Sequence, residues 1–214
     1  MPVSGDPRLW LDSFSPGLIP QIIQLVLTSW DAFEKPGRSE KEVPITRRFR
    51  SFLKRRKNAL RELPVRIDRE SVEDDPNTGN ERGRIDIRFT EGYSCREEVY
   101  FAFECKRLNV PTKTGCRSLA REYVTQGMMR FVTAQYAAGL EHGGMIGYVL
   151  DGNVGKAVAA VDHSISTAGR KLKMRAPLRL RESLLIPGRR DVRETSHHLS
   201  DRMFRIQHVF LRVS

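Results

Sequence analysis

Two stretches decide how the chain is read: RIDIRFT at 84–90 and VYFAFECK at 99–106. Side chains along a β-strand point alternately to opposite faces. In the first stretch Ile85, Ile87 and Phe89 fall on one face, and Arg84, Asp86 and Arg88 on the other. In the second, Val99, Phe101, Phe103 and Cys105 share a face opposite Tyr100, Ala102, Glu104 and Lys106. Both therefore read as strands, and pairing them as a hairpin sets Asp86 beside Glu104, with Lys106 two residues further along the same face. A solvated sheet face tied by cross-strand salt bridges is the plain alternative. It fits less well, because the helices on either side are expected to cover that sheet.

Upstream, residues 1–17 are rich in Pro, Ser and Gly and read as irregular. Ile19, Ile22, Ile23, Val26, Leu27 and Trp30 recur at helical spacing, predicting a helix over 18–34. A linker at 35–41 leads to a second helix from about Val43 to Leu60. Arg47, Arg48, Arg50, Lys54, Arg55, Arg56, Lys57 and Arg61 lie on or just beyond it with no acid between them. Pro64 to Arg69 reads as a short strand, and 73–83 as turns. Downstream, a loop at 109–117 precedes a long helix from about Ser118 to Leu140, which His142-Gly143-Gly144 ends. Met145 to Leu150 reads as a strand, Val154 to Thr167 as a helix, and 169–193 as basic and irregular. Arg205 to Val213 alternates like an edge strand, with Phe204, Ile206, His208, Phe210 and Arg212 on one face. The order implies an α/β fold with a central mixed β-sheet flanked by helices. Residues 1–38 are expected to form a helical lead-in, and 39–214 one domain.

The chain has 214 residues, with 37 Lys and Arg against 26 Asp and Glu, for a formal net charge of +11. An excess of this size concerns partners more than fold, and nucleic acid is the foremost polyanion. Cys95, Cys105 and Cys116 form no C-x-x-C pair, so neither a disulfide framework nor a structural zinc site is expected. The N-terminus lacks the pattern of a secretory signal, and the most apolar early stretch, Leu18 to Phe33, is too short for a membrane span. A cytoplasmic protein is expected. Gly143-Gly144 and Gly152-x-x-Gly155 do not form a phosphate loop. His197, His198 and His208, with Asp201, read as surface or core residues in preference to a metal site, and Cys105 as a buried thiol.

Hydrolysis of a phosphodiester by Mg²⁺ requires hard oxygen ligands for the metal and a nearby cation for the charge that develops on the phosphate. Asp86 and Glu104 meet the first need, the main-chain carbonyl of Cys105 adds an oxygen, and Lys106 meets the second. At these residues, in GRIDIRFT (83–90) and VYFAFECKRLN (99–109), the sequence resembles the PD-(D/E)XK, or restriction-endonuclease-like, nuclease superfamily, with Ile85 where Pro often precedes the Asp.

The resemblance covers about residues 40–150. It implies a metal-dependent endonuclease acting on DNA, with Asp86 and Glu104 holding Mg²⁺ (or Mn²⁺) and Lys106 assisting the attacking water and the phosphate. It further implies a Glu on the first core helix, for which Glu42 is the candidate with Glu40 behind it, and a polar residue on the following helix, for which Gln126 is the candidate. Glu42 also reads as a helix-start carboxylate, and Gln126 as a surface glutamine. Standalone nucleases of this kind imply a restriction or phage-defence setting, with a homodimer or a partner ATPase or other defence-complex subunit. Helix 18–34 is the candidate dimer contact, with a place in the core as the alternative. Arg47, Arg48, Arg50, Lys54 and Arg55, and further on Lys171 and Lys173, are expected to meet phosphates. A non-catalytic nucleic-acid-binding subunit and an RNA-directed nuclease stay open as alternatives.

Overall fold

The computed structural model describes residues 14–59, 63–68, 71–74, 78, 81–92, 98–200 and 202–213. The lead-in before Phe14, and Leu60, Arg61, Arg69, Cys95 and Asp201 among the residues named above, lie outside them.

The apolar spacing predicted near the N-terminus forms helix α1 (Leu18–Ala32), which ends where Phe33 turns to an extended backbone. Its apolar face, including Ile19, Ile22, Val26 and Trp30, is fully or almost fully buried in the core, and Trp30 Nε1 donates to the carbonyl of Arg212 at 2.7 Å. The helix is thus part of the main fold, and the apolar face read as a dimer contact is already covered. Helix α2 (Glu42–Ala59) buries Ile45, Thr46, Phe49 and Leu53 against the same core.

The strands are β1 (Val65–Ile67), β2 (Ser71–Asp74), β3 (Glu81–Ile85), β4 (Ile87–Glu91), β5 (Tyr100–Leu108), β6 (Val110–Thr112), β7 (Gly115–Arg117), β8 (His142–Val149), β9 (Arg181–Glu182), β10 (Val192–His198) and β11 (Met203–Arg212). A seven-stranded sheet runs in the order β1-β4-β5-β8-β11-β10-β9. β1, β4 and β5 are antiparallel, β5, β8 and β11 are parallel, and β10 and β9 close the far edge antiparallel. Two small ribbons, β2-β3 and β6-β7, stand outside it. The molecule is therefore a mixed α/β fold with one large sheet between helices.

Each face of the sheet carries a core. α1 and α2 cover one, with Phe101, Phe103 and Cys105 of β5. The other, with Tyr100 and Ala102, is covered by α3 (Ala120–Glu122), a π-helical segment (Tyr123–Met128), α4 (Met129–Val132) and α5 (Val154–Ala168). α5 begins at Asn153, whose side chain accepts from the backbone N–H of Lys156 at 2.9 Å, an N-cap worth about 1 kcal/mol.

Four expectations are corrected. The long helix over 118–140 is instead a short helical run ending at Val132; Ala134 and Ala137 take positive φ, and the turns between them bury Tyr136. Gly143 and Gly144, read as its stop, lie inside β8, where a Cβ would fall 2.7 Å from Phe131 and 2.3 Å from Phe103. They are glycines because aromatic rings pack onto the strand. Loop 109–117 contains the ribbon β6-β7, and the margins of the turn stretch, 73–74 and 81–83, are strand in β2-β3, while 78 is a turn and 75–77 and 79–80 lie outside the described residues. Strand β11 is interior, since β10 pairs along it from Val192↔Val209 to His198↔Met203.

β10 escapes a hydrophobicity reading because three of its four buried side chains, Glu194, Thr195 and His197, are polar. His197 Nδ1 faces the Leu172 carbonyl at 2.7 Å and so must donate. Its Nε2 must then accept from Thr195 Oγ1 at 2.8 Å. Thr195 Oγ1 in turn accepts from His208 Nε2 at 2.9 Å, and His208 Nδ1 accepts from Tyr123 OH at 2.9 Å. One carbonyl dictates every tautomer in the chain. Burial holds both rings neutral, pushing His197 down to about 4 and His208 to about 3.

Candidate active site

The site forms where β4 stops pairing with β5. Their register ends at Ile87↔Phe103, and Asp86 occupies the bend between β3 and β4. Beyond that point the N–H groups of β5 on this side lack a strand partner, and carboxylates take them. Asp86 Oδ2 accepts from Cys105 N at 2.8 Å, and Glu42 Oε2, from the first turn of α2, accepts from Arg107 N at 3.0 Å. Two acids distant in sequence are thus fixed at alternate positions along one strand edge. Arg50 Nη1 of α2 donates to the Asp86 carbonyl at 2.6 Å and fastens the bend.

Lys106 lies between the acids. Its Nζ is 3.0 Å from Glu42 Oε1, 2.7 Å from Glu104 Oε1 and 3.1 Å from the Cys105 carbonyl. Glu104 is only 1% exposed, and Arg130 Nη1 reaches its other oxygen, Oε2, at 3.4 Å. Tyr136 steadies that guanidinium: its hydroxyl takes a hydrogen bond from Arg130 Nη1 and gives one to the Arg84 carbonyl.

These contacts do not offset the loss of water around the acids. Burial raises Asp86 from 3.8 to about 6, opposed by the Cys105 N–H and Lys106. Burial and the neighbouring Asp86 charge raise Glu104 from 4.5 to about 7, opposed by Lys106 and Arg130. Burial alone would lower Lys106, but Glu104 and Glu42 outweigh it and hold the ammonium above its ordinary value. Two acids perturbed toward neutrality beside a strengthened ammonium is a functional-site signature. The Cys105 thiol is fully buried on the opposite face, and burial raises it well above the ordinary value. It is placed as an inert side chain whose carbonyl faces the site.

The π-helical segment forms the roof. A Cβ on Gly127 would lie 2.4 Å from Met145 Cε and 3.5 Å from Lys106 Cγ, so any larger residue there must displace the buried Met145 side chain or lift the segment. π-turns of this kind are frequent at functional sites. A cleft of about 350 Å³ opens beside it, lined by Glu42, Lys106, Arg107, Arg117, Glu122 and Gln126 among others.

The structure therefore brings together Asp86, Glu104, Lys106, Glu42 and the Cys105 carbonyl, and places exposed Gln126 on the rim of the same cleft. Arg130, Tyr136 and Arg107 join them without a signal in the sequence pattern. Arg130 and Tyr136 lie beyond the π-turn, whose extra residue breaks the helical spacing a sequence reading would extrapolate.

The cations expected to meet phosphates divide into groups. Arg50 is engaged by the Asp86 carbonyl, and Arg48 is held by Glu40 Oε2 at 2.8 Å, an acid in the linker before the helix. Arg47, Lys54 and Arg55 are exposed on α2, and Arg47 and Arg55 flank a shallow cleft with Phe33 and Phe52. Lys171 and Lys173 are exposed on the turn after α5. As the side chains stand, no group of three His, Cys, Asp or Glu among the described residues is arranged around one metal position. Among those residues no helix is long and apolar enough to cross a membrane. Comparison with protein-family models, with curated proteins and with solved structures yields no match.

Proposed function

We propose that the chain is a metal-dependent endonuclease of the restriction-endonuclease-like kind, hydrolysing phosphodiester bonds of DNA, with Asp86, Glu104 and Lys106 at its centre. The observation carrying this reading is the convergence of two buried, raised-pKa carboxylates with a lysine at a strand edge. The order α2, antiparallel β1-β4-β5, helical run 120–132, parallel β8 supports it by framing that edge with helices.

The donors suit a hard cation: the carboxylates of Asp86 and Glu104 and the carbonyl of Cys105 would hold it. When bound, Mg²⁺ supplies Lewis-acid polarisation of the phosphate and acidification of a water. Lys106 Nζ now sits on Glu42, Glu104 and the Cys105 carbonyl, the last two being oxygens such a cation would share. Its flexible stem lets the ammonium move from the Cys105 carbonyl toward developing phosphate charge while Glu42 keeps it in reach. Arg130 holds Glu104 Oε2 and so limits rotation of that carboxylate. Arg47, Lys54 and Arg55 supply sequence-independent phosphate contacts, which make binding strongly salt-dependent. A restriction or phage-defence role accords with the resemblance.

The test is incubation of the purified chain with plasmid and linear DNA in Mg²⁺, Mn²⁺ or EDTA. Metal-dependent cutting is expected, lost in Glu104→Ala and Lys106→Ala with DNA binding retained. Cleavage that survives Glu104→Ala refutes the assignment.

One observation favours a second reading, a nucleic-acid-binding subunit without turnover. Lys106 and Arg130 already pair with the two oxygens of Glu104, as in a site held together without metal. Such a protein would bind DNA with steep salt dependence and show the same melting temperature in Mg²⁺ and in EDTA.

A further inference from the structure

Away from the acidic cleft lies a second and larger cavity. It measures about 1160 Å³ and lies beyond the carboxyl ends of β8 and β11, between the end of α1, the start of α5 and the 179–193 segment. It shares no lining residue with the cleft at Lys106. It exists because β10 begins at Val192, opposite Val209, leaving Leu211 and Arg212 of β11 without a neighbour on that side. The crevice outside the carboxyl ends of parallel strands is where open α/β sheets commonly take ligands.

Its walls differ in chemistry. The first turns of α5 supply Val154, Val158 and Ala159, small and apolar. Facing them are six cations, Lys35, Arg179, Arg189, Arg190, Arg193 and Arg212, against the carboxylates of Asp31, Asp162 and Asp191. Those acids are partly committed: Asp191 pairs with Arg189 at 2.6 Å, and Asp162 accepts from the Leu180 N–H at 2.6 Å. Arg179, Arg190 and Arg212 have no ion-pair partner among the described residues, and Arg193 carries its Nε buried with no acceptor. Six cations against three carboxylates leave the lining net positive, and the planar forks of its guanidiniums match phosphate oxygens. An inorganic anion would fill only a small part of this volume and would leave the apolar wall untouched.

We propose that this cleft is a second ligand site, which takes a nucleotide: phosphates on the Arg179, Arg190 and Arg212 side, and the base against Val154, Val158 and Ala159. The site does not depend on the nuclease reading. A free nucleotide and a nucleotide unit of a nucleic acid share this chemistry, and the cavity's concave form favours the free one.

The experiment titrates the full chain by calorimetry with ATP, GTP, inorganic triphosphate and a twelve-nucleotide single strand, in EDTA. The variants are Arg190→Glu/Arg212→Glu, Ala159→Trp and, as control, Lys106→Ala. Ala159 is exposed on α5, so Ala159→Trp fills the cleft with every charge in place and keeps the test valid if the charge reversal fails to fold. Saturable binding of at least one mononucleotide, weakened at least tenfold by either cleft change and unaltered in Lys106→Ala, is the expected result. Three results overturn the proposal: no saturable binding of ATP or GTP, equal binding of inorganic triphosphate and mononucleotide, or sensitivity to the variants seen only with the oligonucleotide.

Discussion

Replacing Glu104 by Gln should make the metal-free protein more stable at pH 8. Glu104 is 1% exposed and its pKa rises from 4.5 to about 7 on folding. A raised acid is protonated more readily in the folded than in the unfolded chain, so its contribution to stability is greatest at low pH. That contribution falls as pH climbs from about 4.5 to about 7 and is lost above. A difference of about 2.5 in pKa corresponds to roughly 3 kcal/mol, at about 1.4 kcal/mol each. Gln mimics the protonated acid in shape and leaves Lys106 its bond to Glu42. The variant should therefore exceed the parent by about 3 kcal/mol at pH 8, or about 6–12 °C in melting temperature for a chain of this size. The two should converge toward pH 4.5. His197 and His208 act in the opposite sense, since their lowered pKa values remove stability as pH falls below 6.5. They are common to both proteins and cancel in the comparison. Urea unfolding at pH 5 and pH 8 in EDTA reads the difference. A Glu104→Gln protein equal to or weaker than the parent at pH 8 would show that Lys106 and Arg130 fully compensate the buried charge, and the reasoning would fail.

Mg²⁺ binding, followed by calorimetry, should release protons below pH 7 and tighten about a hundredfold between about pH 5.5 and pH 8, as Asp86 and Glu104 ionise at about 6 and about 7; affinity flat over that span contradicts it. Gly127→Val should cost about 1–3 kcal/mol and lower cleavage at least tenfold, because its side chain must displace Met145 or lift the roof from Lys106; unchanged activity would show that the π-turn does not position the site. Thr195→Val should cost about 2–4 kcal/mol by leaving two buried histidine nitrogens unmatched, and a denaturation midpoint equal to the parent's would rule out the donor order running from Tyr123 through His208 and Thr195 to His197.

Strict alternation made Glu104 and Lys106 legible, but it breaks at Asp86, where the bend sends Ile85 into the core opposite the one that holds Ile87 and Phe89. Glu104 and Lys106 share a face because they are two residues apart on one strand, and Asp86 sits one step beyond the last paired residue of the next. Glu42 could be named but not assigned a partner, because its bond to Arg107 N depends on how α2 crosses the strand edge. Arg130 and Tyr136 were invisible for a different reason: a π-turn and two left-handed alanines carry them into the site, and no period of 3.6 predicts those positions. β10 was hidden because histidine and threonine satisfy one another inside the core, where a sequence reading looks for Val and Ile. The wide basic cleft depends on the start of β10 and so shared its invisibility.

Asp86, just before β4, and Glu42, in the first turn of α2, also guard the fold against its own kind. A sheet strand that outlasts its neighbour offers a row of unmatched N–H groups, the template on which a second molecule can add a strand. On β5 those groups are Cys105 N and Arg107 N, and Asp86 and Glu42 occupy them. Replacing both acids by alanine would remove the candidate chemistry and also open this edge to another chain. A doubly substituted protein would therefore be expected to self-associate, whereas Lys106→Ala, which leaves both N–H groups covered, would remain dispersed.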